Sequence, residues 1–103
     1  LPAAEGGDVH TIIWRYRVRG DRTAEFERAY GPQGDWARFF ARSPAYSGTR
    51  LYREAGDPAH YLTIDEWRSR ADHDAFRAAN EREYAAIDRR FEAWTESEEC
   101  LLE

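Results

Sequence analysis

The sequence predicts an α+β fold in which a four-stranded antiparallel sheet carries its helices on one face. Three observations predict it. Several short stretches alternate apolar and polar residues at period two, rich in β-branched and aromatic types. Three further segments carry apolar residues at helical spacing. A short turn signal, Ala55-Gly56-Asp57-Pro58, separates two of the alternating stretches, which should therefore pair as a hairpin.

Each element follows in order. Residues 1–9 read as a flexible N-terminal arm, and 10–103 as one domain, since 103 residues suffice for one domain and not two. His10 to Val18, HTIIWRYRV, alternates: Ile12, Trp14, Tyr16 and Val18 point one way, Thr11, Ile13, Arg15 and Arg17 the other. Gly20-Asp21 turns the chain into a helix carrying Ala24, Phe26, Ala29 and Tyr30, which Gly31-Pro32-Gln33-Gly34 breaks. Asp35 can cap a second short helix, DWARFFAR, whose Trp36, Phe39 and Phe40 share one face. Gly48 to Glu54 and Ala59 to Trp67 are strands. In the second, Tyr61, Thr63, Asp65 and Trp67 oppose Leu62, Ile64 and Glu66. Ser69 with Asp72 three residues on resembles a capping box. From there one long helix is expected to run to about Trp94, with Phe76, Asn80, Tyr84, Ile87, Phe91 and Trp94 on its face. Glu98 to Leu102 is a weakly marked last strand.

The order β-α-α-β-β-α-β becomes βαββαβ when the early helices merge, which is the split-βαβ or ferredoxin-like plan. Its free sheet face must meet water or another chain. Hydrophobic residues on both faces of the strands predict that both are covered, and a second copy of the sheet is the simplest cover. A homodimer with sheets packed face to face is expected.

Composition excludes several classes. The net charge of −5 argues against a nucleic-acid partner. No apolar run is long enough to span a bilayer, so no membrane association is expected. The basic residues are all Arg, which removes Schiff-base lysine chemistry. Cys100 is the single cysteine, so no intrachain disulfide forms and a reducing, cytoplasmic location is expected. No signal-peptide pattern opens the chain, and the lack of Met suggests that the natural start lies upstream. Leu102-Glu103 reads either as native sequence or as a cloning scar. Aromatics at 15% point to a bulky core or an aromatic-lined cavity.

The segments GDWARFF, SGTRLYREAGDPAHYLTIDEW and the aromatic helix with EYAAID resemble the antibiotic biosynthesis monooxygenase family, over Thr11 to about Leu102. The resemblance implies a dimeric α/β barrel with a small pocket between helices and sheet in each subunit. In monooxygenase members it implies chemistry with no metal and no flavin. The anion of a phenol or hydroquinone passes an electron to O₂, and the radical pair recombines. The protein binds a flat aromatic, favours the anion and keeps out water.

Trp67 matches the family's tryptophan at the end of the hairpin's second strand, which lines the pocket in haem-degrading relatives. It reads as pocket wall or as core plug. His73, in ADHDAF, is a candidate general base or a solvated residue at a helix start. Asn80 interrupts an apolar stripe, so it either faces a polar cavity or sits at the stripe's edge. These two are the catalytic candidates. Trp67, Trp36, Phe40, Tyr84 and Phe76 are the candidate substrate-binding residues, with simple core as the alternative for the aromatic stripe. Arg15, Arg17, Arg50 and Arg53 are expected to pair with Asp65, Glu54 or Glu66. Haem degradation is not expected. Its pattern needs an Asn on the first strand, which HTIIWRYRV lacks, and a proximal His where Arg77 stands. His10, His60 and His73 are scattered without ligand spacing, so no metal site is expected.

The leading expectation is a cofactor-independent monooxygenase, an oxidoreductase acting on a small phenolic or quinol substrate. The alternative is a non-catalytic small-molecule-binding or assembly module on the same dimeric barrel. An isomerase working through enolisation, with His73 and an Arg, is a third reading.

Overall fold

The structure is a computed structural model describing residues 9–103; of the expected arm over residues 1–9, residues 1–8 lie outside the described residues. Strand β1 (His10–Val18) leads through a single 3₁₀ turn at Gly20–Arg22 into helices α1 (Thr23–Tyr30) and α2 (Asp35–Phe40). Strands β2 (Tyr46–Arg53) and β3 (His60–Trp67) form the expected hairpin, followed by α3 (Arg70–Ala79), α4 (Glu81–Phe91) and β4 (Thr95–Leu102). The sheet runs β2-β3-β1-β4 with every pair antiparallel. No helix among the described residues is long and apolar enough to cross a membrane.

The period-two reading of the strands holds. Ile12, Tyr16, Val18, Tyr61, Thr63 and Trp67 are buried beneath the helices. Phe26 is fully buried at 0% exposure, stacked on Tyr30 at 4.1 Å and tilted against Tyr61 at 5.0 Å, so α1 docks through aromatic rings. The other sheet face carries Ile13 directly opposite Ile64, with Leu62 beside them, all half-buried. On it Arg15 pairs with Glu54 at 2.8 Å and Arg50 lies 3.7 Å from Glu66. Asp65 takes no part in such pairs among the described residues. It projects to the helix side with Tyr61, Thr63 and Trp67.

Two elements differ from expectation. The last strand begins at Thr95 rather than Glu98. The long helix is two helices. Asn80 leaves helical geometry (φ −124°, ψ 27°), and both its backbone N–H and its Nδ2 donate to the Phe76 carbonyl, at 3.0 and 2.9 Å. A side chain that bonds locally to backbone competes with the helical ladder and ends it. Ser69 does cap α3: its hydroxyl accepts from the Asp72 N–H at 3.1 Å and donates to that carboxylate at 2.7 Å.

Between α1 and α2 the chain turns through Gly34, where a Cβ would drive into the carbonyl oxygens of Arg28 and Ala29. Glycine at this position lets the two short helices pack closely and aims Trp36 inward.

Candidate functional site

The helices and the sheet do not close completely. Between them lies a cavity of about 270 Å³. Strand β1 contributes Trp14 and Tyr16, α1 Tyr30, α2 Trp36 and Phe40, and α4 Tyr84. Its polar floor comes from Thr49, Thr63 and Asp65, while Arg77, Asp88 and Glu98 stand at the mouth. The size suits a small, flat ligand, and aromatic walls with few polar groups are the usual make-up of such sites.

Trp36 and Tyr84 meet at 4.9 Å between ring centroids, and the Arg77 guanidinium covers the Tyr84 ring at 3.8 Å. The Trp36 indole N–H is buried and bonds to no acceptor among the described residues. A buried indole usually has a partner, so this donor is available to a ligand oxygen. Burial pushes the hydroxyls of Tyr16, Tyr30 and Tyr84 above the ordinary phenol range, which keeps them neutral.

Asp65 is the one carboxyl on the floor. It pairs across the sheet with Ile12 on one side and Thr49 on the other. Thr49 donates its hydroxyl to Asp65 Oδ1 at 2.5 Å, and in turn accepts from the Tyr46 hydroxyl. No arginine or histidine pairs with Asp65 among the described residues. Burial therefore wins over the Thr49 hydrogen bond, and pushes its carboxyl from 3.8 up to about 6. Near neutrality such a carboxylate is ionised yet basic enough to take a proton from an acidic phenol.

Of the residues singled out in the sequence, Trp36, Phe40 and Tyr84 stand on the cavity wall. Trp67 and Phe76 lie behind that wall. Trp67 is 1% exposed and packs on Phe40 at 5.5 Å and on Phe76 at 5.3 Å. Asn80 spends its amide on the helix break. His73 lies in the first turn of α3, beneath Trp67 at 5.1 Å, and borders a separate small void of about 30 Å³. That void also touches Trp14, Phe40, Asp65, Arg77 and Tyr84, so it adjoins the main cavity. Burial holds the His73 imidazole below its ordinary value. His10, far away in sequence, meets it at 5.5 Å between ring centroids.

Asp65 was missed as a site residue. The available signal was a carboxylate at an inward position of the series Tyr61-Thr63-Asp65-Trp67, where burial without a cation raises the pKa.

Comparison with known proteins agrees with this architecture. Residues 9–87 match the sequence profile of the family described as antibiotic biosynthesis monooxygenase. A curated relative, deoxynogalonate monooxygenase of Streptomyces nogalater, is 39% identical over 72 residues, covering 70% of this chain and 55% of the relative. The chain thus spans about half the length of that relative. Among solved structures, a mutant form of SnoaB, a cofactor-independent oxygenase from Streptomyces nogalater, superposes with a TM-score of 0.73 at 26% identity. The match covers 93% of this chain and 91% of that one. A conserved protein from Methanosarcina mazei has the same TM-score at 10% identity, covering 98% and 96%, which speaks to the fold alone. With a profile match over most of its length and this sheet order beneath an aromatic cavity, the chain belongs to the antibiotic biosynthesis monooxygenase family.

Proposed function

We propose that this chain oxygenates a small, flat phenol or quinol without metal or flavin, and that Asp65 is its general base. The observation that carries the reading is the Asp65 carboxyl, pushed up to about 6, on the floor of a cavity walled by Trp14, Trp36, Phe40 and Tyr84. The substrate ring stacks among the aromatic walls with its hydroxyl toward Asp65. Deprotonation gives a phenolate, which passes one electron to O₂. Superoxide and the aryloxyl radical then recombine at a ring carbon. Asp65 returns its proton to the peroxide, and loss of water leaves a carbonyl at that carbon, so phenol and O₂ become quinone and water. The Trp36 N–H, lacking an acceptor of its own, is placed to stabilise negative charge on an oxygen in the cavity. Arg77 at the mouth suits a substrate with an acidic substituent. The Streptomyces nogalater relatives, a deoxynogalonate monooxygenase and a cofactor-independent oxygenase, support the class of reaction.

Trp36, Phe40 and Tyr84 retain the substrate-binding role in this reading, while Trp67 and Phe76 hold the wall from behind. His73 and Asn80 do not line the main cavity, so in this reading Asp65 takes the part expected of His73. A second copy is proposed to cover the open sheet face through Ile13, Leu62 and Ile64. Ile64→Asp should then convert a dimer to a monomer in light scattering; a wild-type monomer would overturn that part.

The test is oxygen uptake with a panel of hydroquinones and naphthols, run in excess chelator, with product mass to distinguish insertion from simple oxidation. Uptake above the spontaneous rate that gains one oxygen atom per product, and falls at least about 100-fold in a folded Asp65→Asn variant, supports the proposal. Saturable binding of panel members with no turnover would favour the non-catalytic binding module.

A further inference from the structure

We propose that His10, His73 and Glu103 form a binding site for a divalent first-row transition ion, with Zn(II) as its simplest occupant. None of the three lines the main aromatic cavity; His73 and Glu103 border the small void that adjoins it, and the site does not depend on the oxygenase reading.

His10 Nε2 and His73 Nδ1 are buried, and neither makes a hydrogen bond within the described structure. The two residues are 8% and 5% exposed, so solvent hardly reaches the rings. Unpaired polar atoms in such a place are costly, and proteins rarely keep two side by side. Both are directed at the same carboxylate: each nitrogen lies 3.8 Å from Glu103 Oε2. That is too long for a hydrogen bond. An ordinary imidazolium–carboxylate pair would close to under about 3 Å.

The spacing suits shared coordination better. The ligand atoms of the three residues all lie within 4.8 Å of one another. An ion holding imidazole nitrogen and carboxylate oxygen at about 2.0–2.2 Å keeps its ligands about 3–4 Å apart; both Glu103 contacts, at 3.8 Å, already fall in that range, and a small rotation of an imidazole ring brings the two nitrogens into it. The fold explains the meeting. His10 opens β1 opposite Trp67, the last residue of β3, and α3 starts three residues later with His73 in its first turn. Glu103 follows β4, which pairs with β1 on its other side. Sequence separation hid the cluster because its members come from three elements.

Donor chemistry selects the ion. Two neutral imidazoles and one carboxylate favour zinc and its first-row neighbours over calcium or magnesium, which prefer oxygen alone. Three protein ligands leave at least one coordination position for water or an exchangeable ligand. Asp74, with Oδ1 3.5 Å from that same His73 Nδ1, stands at the rim on the ion's side and can accept a hydrogen bond from a water in the open position.

The test is calorimetric titration of the untagged, chelator-stripped chain with zinc chloride near neutral pH. One saturable zinc per chain is expected. His10→Gln and His73→Gln should each weaken binding at least about 100-fold, and Glu103→Gln at least about 10-fold. His60→Gln should leave binding unchanged, since His60 pairs with Asp57 elsewhere. Glu103 is exposed, so its variant keeps the fold even where a buried histidine variant does not. Cobalt(II) on the wild-type chain gives the second reading: visible d–d bands of a low-coordinate site, removed by one equivalent of zinc. Absence of saturable zinc binding, absence of those bands, or binding that survives loss of either buried histidine would overturn the proposal.

Discussion

Replacing Asp65 with Asn should stabilise the fold, and by an amount that depends on pH. The carboxyl rises from 3.8 in the unfolded chain to about 6 in the native state. A raised carboxyl pKa means that the folded protein disfavours the charged form, so ionisation above the folded value weakens the fold. The cost is absent below the unfolded value, grows through the window between the two and levels off above about 6. At 1.36 kcal/mol per unit, the full shift corresponds to about 3 kcal/mol at pH 8. The cavity gives the carboxyl partial access to solvent, which reduces this to roughly 1–3 kcal/mol. At pH 5 only about half of that cost applies. Asn keeps the size and can still accept from Thr49, so little else changes. Urea unfolding of both proteins, followed by circular dichroism at pH 5 and pH 8, measures the difference. The Asn variant should be the more stable at both, with a margin larger by about 1 kcal/mol at pH 8. A margin that is flat with pH, or a less stable variant at pH 8, would refute the claim that Asp65 is a desolvated carboxyl.

Three further outcomes follow from packing and capping. Phe26→Ala empties a fully buried aromatic site beneath α1 and should cost about 3–5 kcal/mol in the same unfolding assay. Ser69→Ala removes the cap of α3 and should cost about 1 kcal/mol, while Ser69→Thr should retain most of it. Gly34→Ala pushes a methyl into the carbonyl oxygens of Arg28 and Ala29. It should lower the melting temperature more than Gly56→Ala, where the added carbon meets nothing.

The sheet was legible because period two is unambiguous when β-branched and aromatic residues supply it. Ile12, Tyr16 and Val18, then Tyr61, Thr63 and Trp67, sort to the buried side as the alternation says. The break at Asn80 was not legible: the apolar stripe runs on from Phe76 to Tyr84, and only a side-chain hydrogen bond to the Phe76 carbonyl ends the helix. The site was half legible. Aromatic residues at helical spacing indicate a shared face but not whether it meets a neighbour or a void. Trp36 and Tyr84 border the void, whereas Trp67 and Phe76 fill the layer behind it. Asp65 looked like one more partner for strand arginines, but Arg15 and Arg50 lie on the opposite face, and Arg53, on the same side as Asp65, reaches Glu27 and the Tyr61 ring instead.

Two of the four tryptophans, Trp14 and Trp36, border the cavity, and Trp67 and Trp94 do not. An excited indole readily gives an electron to a quinone in contact with it, so an oxidised ring in the cavity would darken Trp14 and Trp36 more than the other two. The intrinsic emission of the unlabelled chain then becomes an occupancy signal for candidate products. A Trp36→Phe chain would keep part of that signal, and the remainder would report how near Trp14 the ligand comes to rest.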